Sequence, residues 1–331
     1  MKVVIPMAGY GTRLRPHTWS KPKPLVAVAG KPVLGHVLDT FAGLPFVEEV
    51  IFIVGYLGQQ VEDYVRQAYP GLRARYIEQR ELLGQSHAIW LARQTLTGPL
   101  LMVFVDTLIE ADLSRLSEER AGAVAYVKAV PDPRRFGVAE VGPGGRVTRL
   151  VEKPDDLTNN LALVGLYYFK DSARLLRAIE TQMERRTQLK GEYFLADALN
   201  ILLEGGLEMR VEPVEVWMDC GKPESLLETN RYLLDHGRDN SAEAAQRPGV
   251  LVVPPVYIDP TAEVRQAVIG PHVTIAAGCL VERSIVQDSI VDAGSSIVDT
   301  TLAQSIIGRE ARVVGRHRSL NVGDSSEVGF A

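Results

Sequence analysis

Toward the C-terminus, isoleucine and valine recur six residues apart in Ile269-Gly-Pro-His-Val-Thr-Ile275, Val291-Asp-Ala-Gly-Ser-Ser-Ile297 and Ile307-Gly-Arg-Glu-Ala-Arg-Val313. A six-residue period, with one inward aliphatic and small or polar residues between, suits a coil with three short flat sides. Each turn of such a coil stacks its aliphatics on the turn below. The copies begin at 269, 291 and 307, an uneven spacing that predicts insertions at the corners. Three edge strands of a β-sandwich would show the same triplets, and the residues by themselves leave that alternative open.

The preceding 235 or so residues have a different texture, in which short β-branched runs alternate with helix-length amphipathic stretches. That alternation builds a mostly parallel sheet covered by helices. Strands are expected at Val3–Ile5, Val50–Val54, Leu100–Val105, Ala123–Lys128 and Leu163–Phe169. Helices are expected at Val33–Phe41, Gln85–Gln94, Asp171–Glu180 and Glu224–Leu234. A stretch poor in large apolar residues follows, a linker or a solvated helix, so the chain reads as an α/β domain over 1–236, a linker over 237–249 and the coil over 250–331.

Composition narrows the partners. A formal net charge of −5 gives no basic field to gather nucleic acid. Cys220 and Cys279 form no CxxC or Cys/His cluster, which predicts neither a zinc site nor a disulfide framework. No apolar run reaches the roughly 18 to 20 residues of a membrane helix, and Met1 leads straight into a strand-like Lys2–Pro6. No membrane partner and a cytoplasmic location are therefore expected.

The first strand runs directly into Ala8-Gly9-Tyr10-Gly11-Thr12-Arg13-Leu14-Arg15-Pro16. Gly9 and Gly11 permit unusual backbone angles and close approach of main-chain N–H groups to a phosphate or base. The loop lacks the GxxxxGK[ST] of a Walker A motif and the third glycine of a dinucleotide fingerprint. A strand followed by GxG is equally a tight structural turn. Lys21-Pro22-Lys23-Pro24-Leu25 favours the nucleotide reading, because proline on each side of Lys23 fixes the backbone that carries its ammonium. Asp106 follows an apolar strand whose carboxyl end faces the ligand crevice in α/β sheets, and a carboxylate there suits magnesium. A helix cap or turn residue is the plain alternative for a lone aspartate.

Gly9-Tyr-Gly-Thr-Arg-Leu-Arg-Pro16-His-Thr18 followed by Pro22-Lys-Pro-Leu25 resembles the signature of the sugar nucleotidyltransferase family, over roughly residues 1–235. The C-terminal repeat is similar to hexapeptide-repeat left-handed β-helices. Together they imply a Rossmann-like nucleotidyltransferase domain with a mixed, mostly parallel sheet, followed by a left-handed parallel β-helix. The resemblance implies that Arg13 holds the triphosphate and leaving pyrophosphate, that Lys23 neutralises charge at the α-phosphate, and that Ala8, Gly9, Gly11 and Thr12 contact the nucleotide. Gln79 and Gly84 match the family's base-reading segment, and a glutamine amide can pair with a uracil or thymine edge. Asp219, in Trp217-Met-Asp-Cys-Gly221, matches the WxDxG segment and joins Asp106 as a ligand of Mg²⁺. Glu152 and Lys153 match the EKP segment that binds sugar hydroxyls and sugar phosphate, and Gly137 and Gly165 match glycines of the sugar pocket. Lys190 falls where relatives carry an arginine at the sugar phosphate, keeping the charge but losing the bidentate fork.

One departure stands out, since Val105 occupies the place of a glycine usual before the first aspartate. The implied reaction joins a nucleoside triphosphate, dTTP or UTP, to a sugar 1-phosphate such as glucose 1-phosphate. Guanylyl transfer to mannose and a catalytically silent regulatory subunit are the alternatives. Acyl transfer by the β-helix, with His272 or His317 as base, is a further one. Stacked-coil faces make extended contact surfaces, so a homo-oligomer is expected.

Overall fold

The computed structural model describes residues 1–315, Val322 and Ser325. Contacts divide these into two compact units. The first comprises Met1–Ala27 and Lys31–Thr229, and the second Val28–Gly30 with the chain from Asn230 onward.

The first unit is built on a nine-stranded sheet. Its strands are β1 (Lys2–Pro6), β2 (Glu49–Val54), β3 (Ala74–Glu78), β4 (Leu100–Val103), β6 (Ala123–Ala129), β7 (Gly137–Val141), β8 (Val147–Glu152), β9 (Leu161–Phe169) and β10 (Met209–Pro213). A separate antiparallel pair joins β5 (Thr107–Glu110) to β11 (Val216–Asp219). The main path runs β8-β7-β9-β4-β1-β2-β3, with β6 pairing β9 and β10. β1 is parallel to β2 and β4, β2 is parallel to β3, and β9 runs antiparallel to β4 and β6. All of β2 is buried, as expected of a strand covered on both faces. Its one charged residue, Glu49, is met by Arg75 at 3.0 Å.

The helices are α1 (Val33–Asp39), α2 (Gly58–Ala68), α3 (Gln85–Leu91), α4 (Ser172–Glu184), α5 (Leu195–Glu204), α6 (Pro223–Leu233) and, in the second unit, α7 (Ser241–Ala244). Asp171, expected to begin α4, instead caps it by accepting a hydrogen bond from the Ala173 N–H. The strand expected over Leu100–Val105 stops at Val103. Opposite it, Gly165 takes φ +85 where the β9–β6 register shifts, and its carbonyl accepts the Phe104 N–H. Phe104, Val105 and Asp106 thereby leave the sheet and line a cleft.

In the second unit, strands of two or three residues form three parallel four-stranded sheets, the arrangement of a left-handed β-helix rather than a sandwich. Three inward columns run through it. They are Val252/Ile269/Val286/Leu302, Ile258/Ile275/Val291/Ile307 and Val264/Val281/Ile297/Val313. The register reduces the expected corner insertions to one residue, since the step from Ile258 to Ile275 and from Ile269 to Val286 is 17 residues and the later steps are 16. Ile275, Val291 and Ile307 stand 16 residues apart in one column, whereas Ile269 opens a different column, so the uneven starts 269, 291 and 307 reflect a change of face.

Residues 237–249 are bonded into the same unit. Asn240 donates to the Ile258 carbonyl and accepts its N–H, Ser241 Oγ accepts the Val256 N–H, and Arg247 donates to the carbonyls of Asp259 and Ala262. His272 places Nε2 3.0 Å from Asp235 Oδ1, and His317 lies outside the described residues.

Candidate active site

The carboxyl ends of β1 and β4 open on one cleft of about 690 Å³ in the first unit. β1 has neighbours leaving it in both directions, and such a switch point in an α/β sheet leaves room for a ligand between the diverging loops. Gly9 has open space where a Cβ would stand. Gly11 takes φ +64, and a Cβ there would lie 2.9 Å from Lys23 Cβ, so glycine lets the loop pack on the lysine. The Gly11 carbonyl accepts bonds from the Leu14 N–H and from Thr18 Oγ1, which closes the turn that carries Arg13.

Lys23 lies in a short turn between Pro22 and Pro24 and places Nζ 2.8 Å from Asp106 Oδ2. The Asp106 side chain remains 39% exposed, so its carboxylate is accessible from the cleft while paired. Burial acts to raise its pKa, but the Lys23 ammonium, with Arg13 behind it, outweighs this and holds the carboxyl below the usual range. Asp219 is brought alongside by the pairing of β11 with β5, in which it opposes Thr107, and by the Cys220 N–H donating to the Asp106 carbonyl at 2.9 Å. Its carboxylate accepts from the Gly221 N–H at 2.7 Å and from Ser225 Oγ at 3.2 Å. A Cβ on Gly221 would sit 2.7 Å from Asp219 Oδ1 and 3.2 Å from an Arg13 guanidinium nitrogen, so its absence lets arginine and carboxylate share this corner.

Gln79 is buried beside Gly84, with Nε2 donating to the Gly84 carbonyl at 3.2 Å. Glu152 and Lys153 lie at the end of β8. A Cβ on Gly137 would approach Glu152 Oε2 to 3.0 Å. Burial pushes the Glu152 carboxyl up, opposed by Lys153, whose Nζ is 3.5 Å from Glu152 Oε1. Lys153 adopts φ +50, donates its N–H to the Phe136 carbonyl, and extends its ammonium over the Phe194 ring at 4.9 Å. Phe136 packs edge-on to Trp217 at 4.8 Å.

Of the expected site residues, Ala8, Gly9, Gly11, Thr12, Arg13, Lys23, Gln79, Gly84, Asp106, Gly137, Glu152, Lys153, Gly165 and Asp219 all line this cleft, and Lys190 does not. Lys190 is exposed at φ +53 in a turn closed by Leu189 and Glu192, and it is Glu192 that reaches the cleft. Two cations that sequence reasoning passed over do line it, Arg135 and Lys222. Their signals were adjacency: Arg135 stands two residues before Gly137 and Lys222 three after Asp219. Val105 faces the cleft as well, filling volume that a glycine would leave open.

The donor set of Asp106 and Asp219 fits Mg²⁺, which takes one or two carboxylates and completes its shell with phosphate oxygens and water. Among the described residues no group of three His, Cys, Asp or Glu side chains converges to hold an ion by itself, so binding there would depend on the nucleotide's phosphates.

Cations fixed around carboxylates that the cleft reaches, beside a glycine loop, fit the class of nucleotide-handling α/β proteins. Comparison with known proteins carries this further: the profile described as Nucleotidyl transferase matches residues 2–236, and the chain belongs to that family, the sugar-nucleotide pyrophosphorylases. It is 32% identical to a glucose-1-phosphate thymidylyltransferase of Streptomyces antibioticus over 99% of both chains. It is 30% identical to a UTP–glucose-1-phosphate uridylyltransferase of Haloferax volcanii over 70% of this chain and 96% of that one. A UDP-glucose pyrophosphorylase solved with UDP-glucose superposes with TM-score 0.62 at 21% identity, over 71% of this chain and 98% of that chain, and shows the fold alone. No helix among the described residues is long and apolar enough to cross a membrane.

Proposed function

We propose that the protein transfers a nucleotidyl group from dTTP or UTP to glucose 1-phosphate, releasing pyrophosphate. One observation carries the reading: a single cleft collects the glycine loop with Arg13, the Lys23–Asp106 pair with Asp219, and the Glu152–Lys153 pair. The relatives that match along the chain act on glucose 1-phosphate by their names, one with a thymidylyl and one with a uridylyl group.

In this mechanism an oxygen of the sugar phosphate attacks the α-phosphorus in line. A P–O bond forms to the sugar phosphate, and the bond to the β-phosphate breaks with its electron pair leaving on pyrophosphate. The nucleophile is already an anion, so no general base is required. The protein's contribution is alignment and relief of charge repulsion. Lys23 is held rigidly where it meets the α-phosphate, Arg13 takes the leaving pyrophosphate, and Lys153 with Arg135 receives the sugar phosphate. Glu152 binds sugar hydroxyls. Mg²⁺ held by Asp106 and Asp219 would supply further charge neutralisation at the phosphates.

Pyrophosphate release by purified protein with Mg²⁺, across dTTP, UTP, CTP, GTP and ATP and a set of sugar 1-phosphates, tests the proposal. Release requiring both substrates, greatest with dTTP or UTP and glucose 1-phosphate, is expected. Silence in every combination by folded protein would overturn it and leave a nucleotide-sugar-binding subunit as the better reading.

A further inference from the structure

His87 lies outside the cleft lining but touches Gln79, which is part of it. Gln79 lines the cleft, but its amide nitrogen is occupied twice: it donates to the Gly84 carbonyl at 3.2 Å and lies 3.1 Å from His87 Nδ1. A carbonyl oxygen can only accept, so Gly84 fixes which end of the amide is nitrogen. Nδ1 of His87 must then be the unprotonated ring nitrogen, because a proton there would face the amide hydrogens. Burial favours the neutral ring. The Trp90 indole packs near-parallel to the imidazole, and the Arg93 guanidinium lies over the Trp90 ring at 3.6 Å.

We infer that His87 is a positioning residue for base selection: with the Gly84 carbonyl it consumes both amide hydrogens of Gln79 and leaves only Oε1 to face the nucleotide. Oε1 has no hydrogen-bond partner among the described residues. The site therefore accepts a hydrogen bond from the base and cannot donate one from Gln79. It takes a ring N–H, as on N3 of uracil or thymine, and rejects cytosine, whose N3 is itself an acceptor and would oppose Oε1 lone pair to lone pair. Without His87 one amide hydrogen is released, the amide is held at one point instead of two, and the polarity of the reading edge is no longer fixed.

The inference rests on the nucleotide reading of the cleft, and the test keeps the two apart by measuring binding and turnover separately. Calorimetric titration with UTP and with CTP, which differ only on the base edge, gives the binding preference. A reversed hydrogen bond on a buried edge predicts that wild-type protein favours UTP by about 10-fold to 100-fold. His87→Leu should lower that ratio by about 3-fold to 10-fold, the worth of one net hydrogen bond. His87→Asn, whose Oδ1 can accept where Nδ1 did, should restore it to within about twofold. Melting temperatures of both variants identify any loss due to unfolding, and the UTP/CTP ratio is a readout that a purely structural histidine would not move in one variant and restore in the other. Equal or tighter binding of CTP overturns the assignment of Oε1, binding of neither overturns the nucleotide reading on which it rests, and an unchanged ratio in folded His87→Leu overturns the role of His87. Intact UTP preference without pyrophosphate release from any sugar 1-phosphate would instead count against the proposed reaction alone.

Discussion

Replacing Gly84 with alanine is the most exacting check on the geometry of the base-reading segment. Gly84 has φ +98 and ψ −177, a region open essentially only to glycine, where another residue is strained by about 1 to 3 kcal/mol. A Cβ would stand 2.7 Å from both the nitrogen and the oxygen of Tyr193, and these are backbone atoms that cannot rotate away. They are also pinned, since the Tyr193 N–H donates to the Leu83 carbonyl at 2.8 Å and the Ser86 N–H donates to the Tyr193 carbonyl at 3.1 Å. Overpacking of this kind adds about 1 to 3 kcal/mol, for a total of about 2 to 6 kcal/mol. In a domain of this size each kcal/mol lowers Tm by about 2 to 4 °C, so a fall of about 4 to 24 °C is expected. Differential scanning fluorimetry measures it directly. Because the Gly84 carbonyl anchors Gln79, the KM for the nucleotide should also rise more than the KM for the sugar phosphate. A Gly84→Ala protein that melts within a degree of wild type would refute the argument from backbone contact.

Gly9→Ala is the matching control: its Cβ meets nothing within 4 Å, so Tm should hold while nucleotide affinity falls, and unchanged affinity would remove Gly9 from the nucleotide contacts. Lys23→Ala should lower kcat by about 100-fold to 1000-fold, as loss of a comparable electrostatic group does, with far-ultraviolet circular dichroism unchanged. Near-normal turnover would exclude Lys23 from the mechanism. Burial pushes the Cys220 thiol up to about 12 and raises Cys279 as well, so neither forms thiolate near neutrality. Native protein at pH 8 should therefore resist iodoacetamide, full labelling appearing only in denaturant, and rapid labelling of the native protein would contradict the buried placement of both residues.

The class of fold and most of the cleft were legible in the amino-acid sequence because they depend on local rules. Apolar runs such as Val50–Val54 can be satisfied only between two layers, and a glycine-rich loop after a first strand has few uses. The six-residue aliphatic period admits a three-sided coil even though its copies looked unevenly spaced. The candidate residues Arg13, Lys23, Gln79, Asp106, Glu152, Lys153 and Asp219 were each recognisable by the motif in which they sit. What could not be read are relations between segments distant in the chain. Only the packed structure puts Asp106 beside Lys23, 83 residues earlier, and so keeps that carboxylate ionised. Only the turn closed by Leu189 and Glu192 turns Lys190 away while Arg135 and Lys222 enter. The equivalence of Ile275, Val291 and Ile307, and the displacement of Ile269 to another face, required the coil register itself. Local patterns determine which surfaces must be buried and which loops can approach a phosphate. Which charges meet, and which hydrogen bond commits an amide to one orientation, follow from three-dimensional contacts that no period in the chain records.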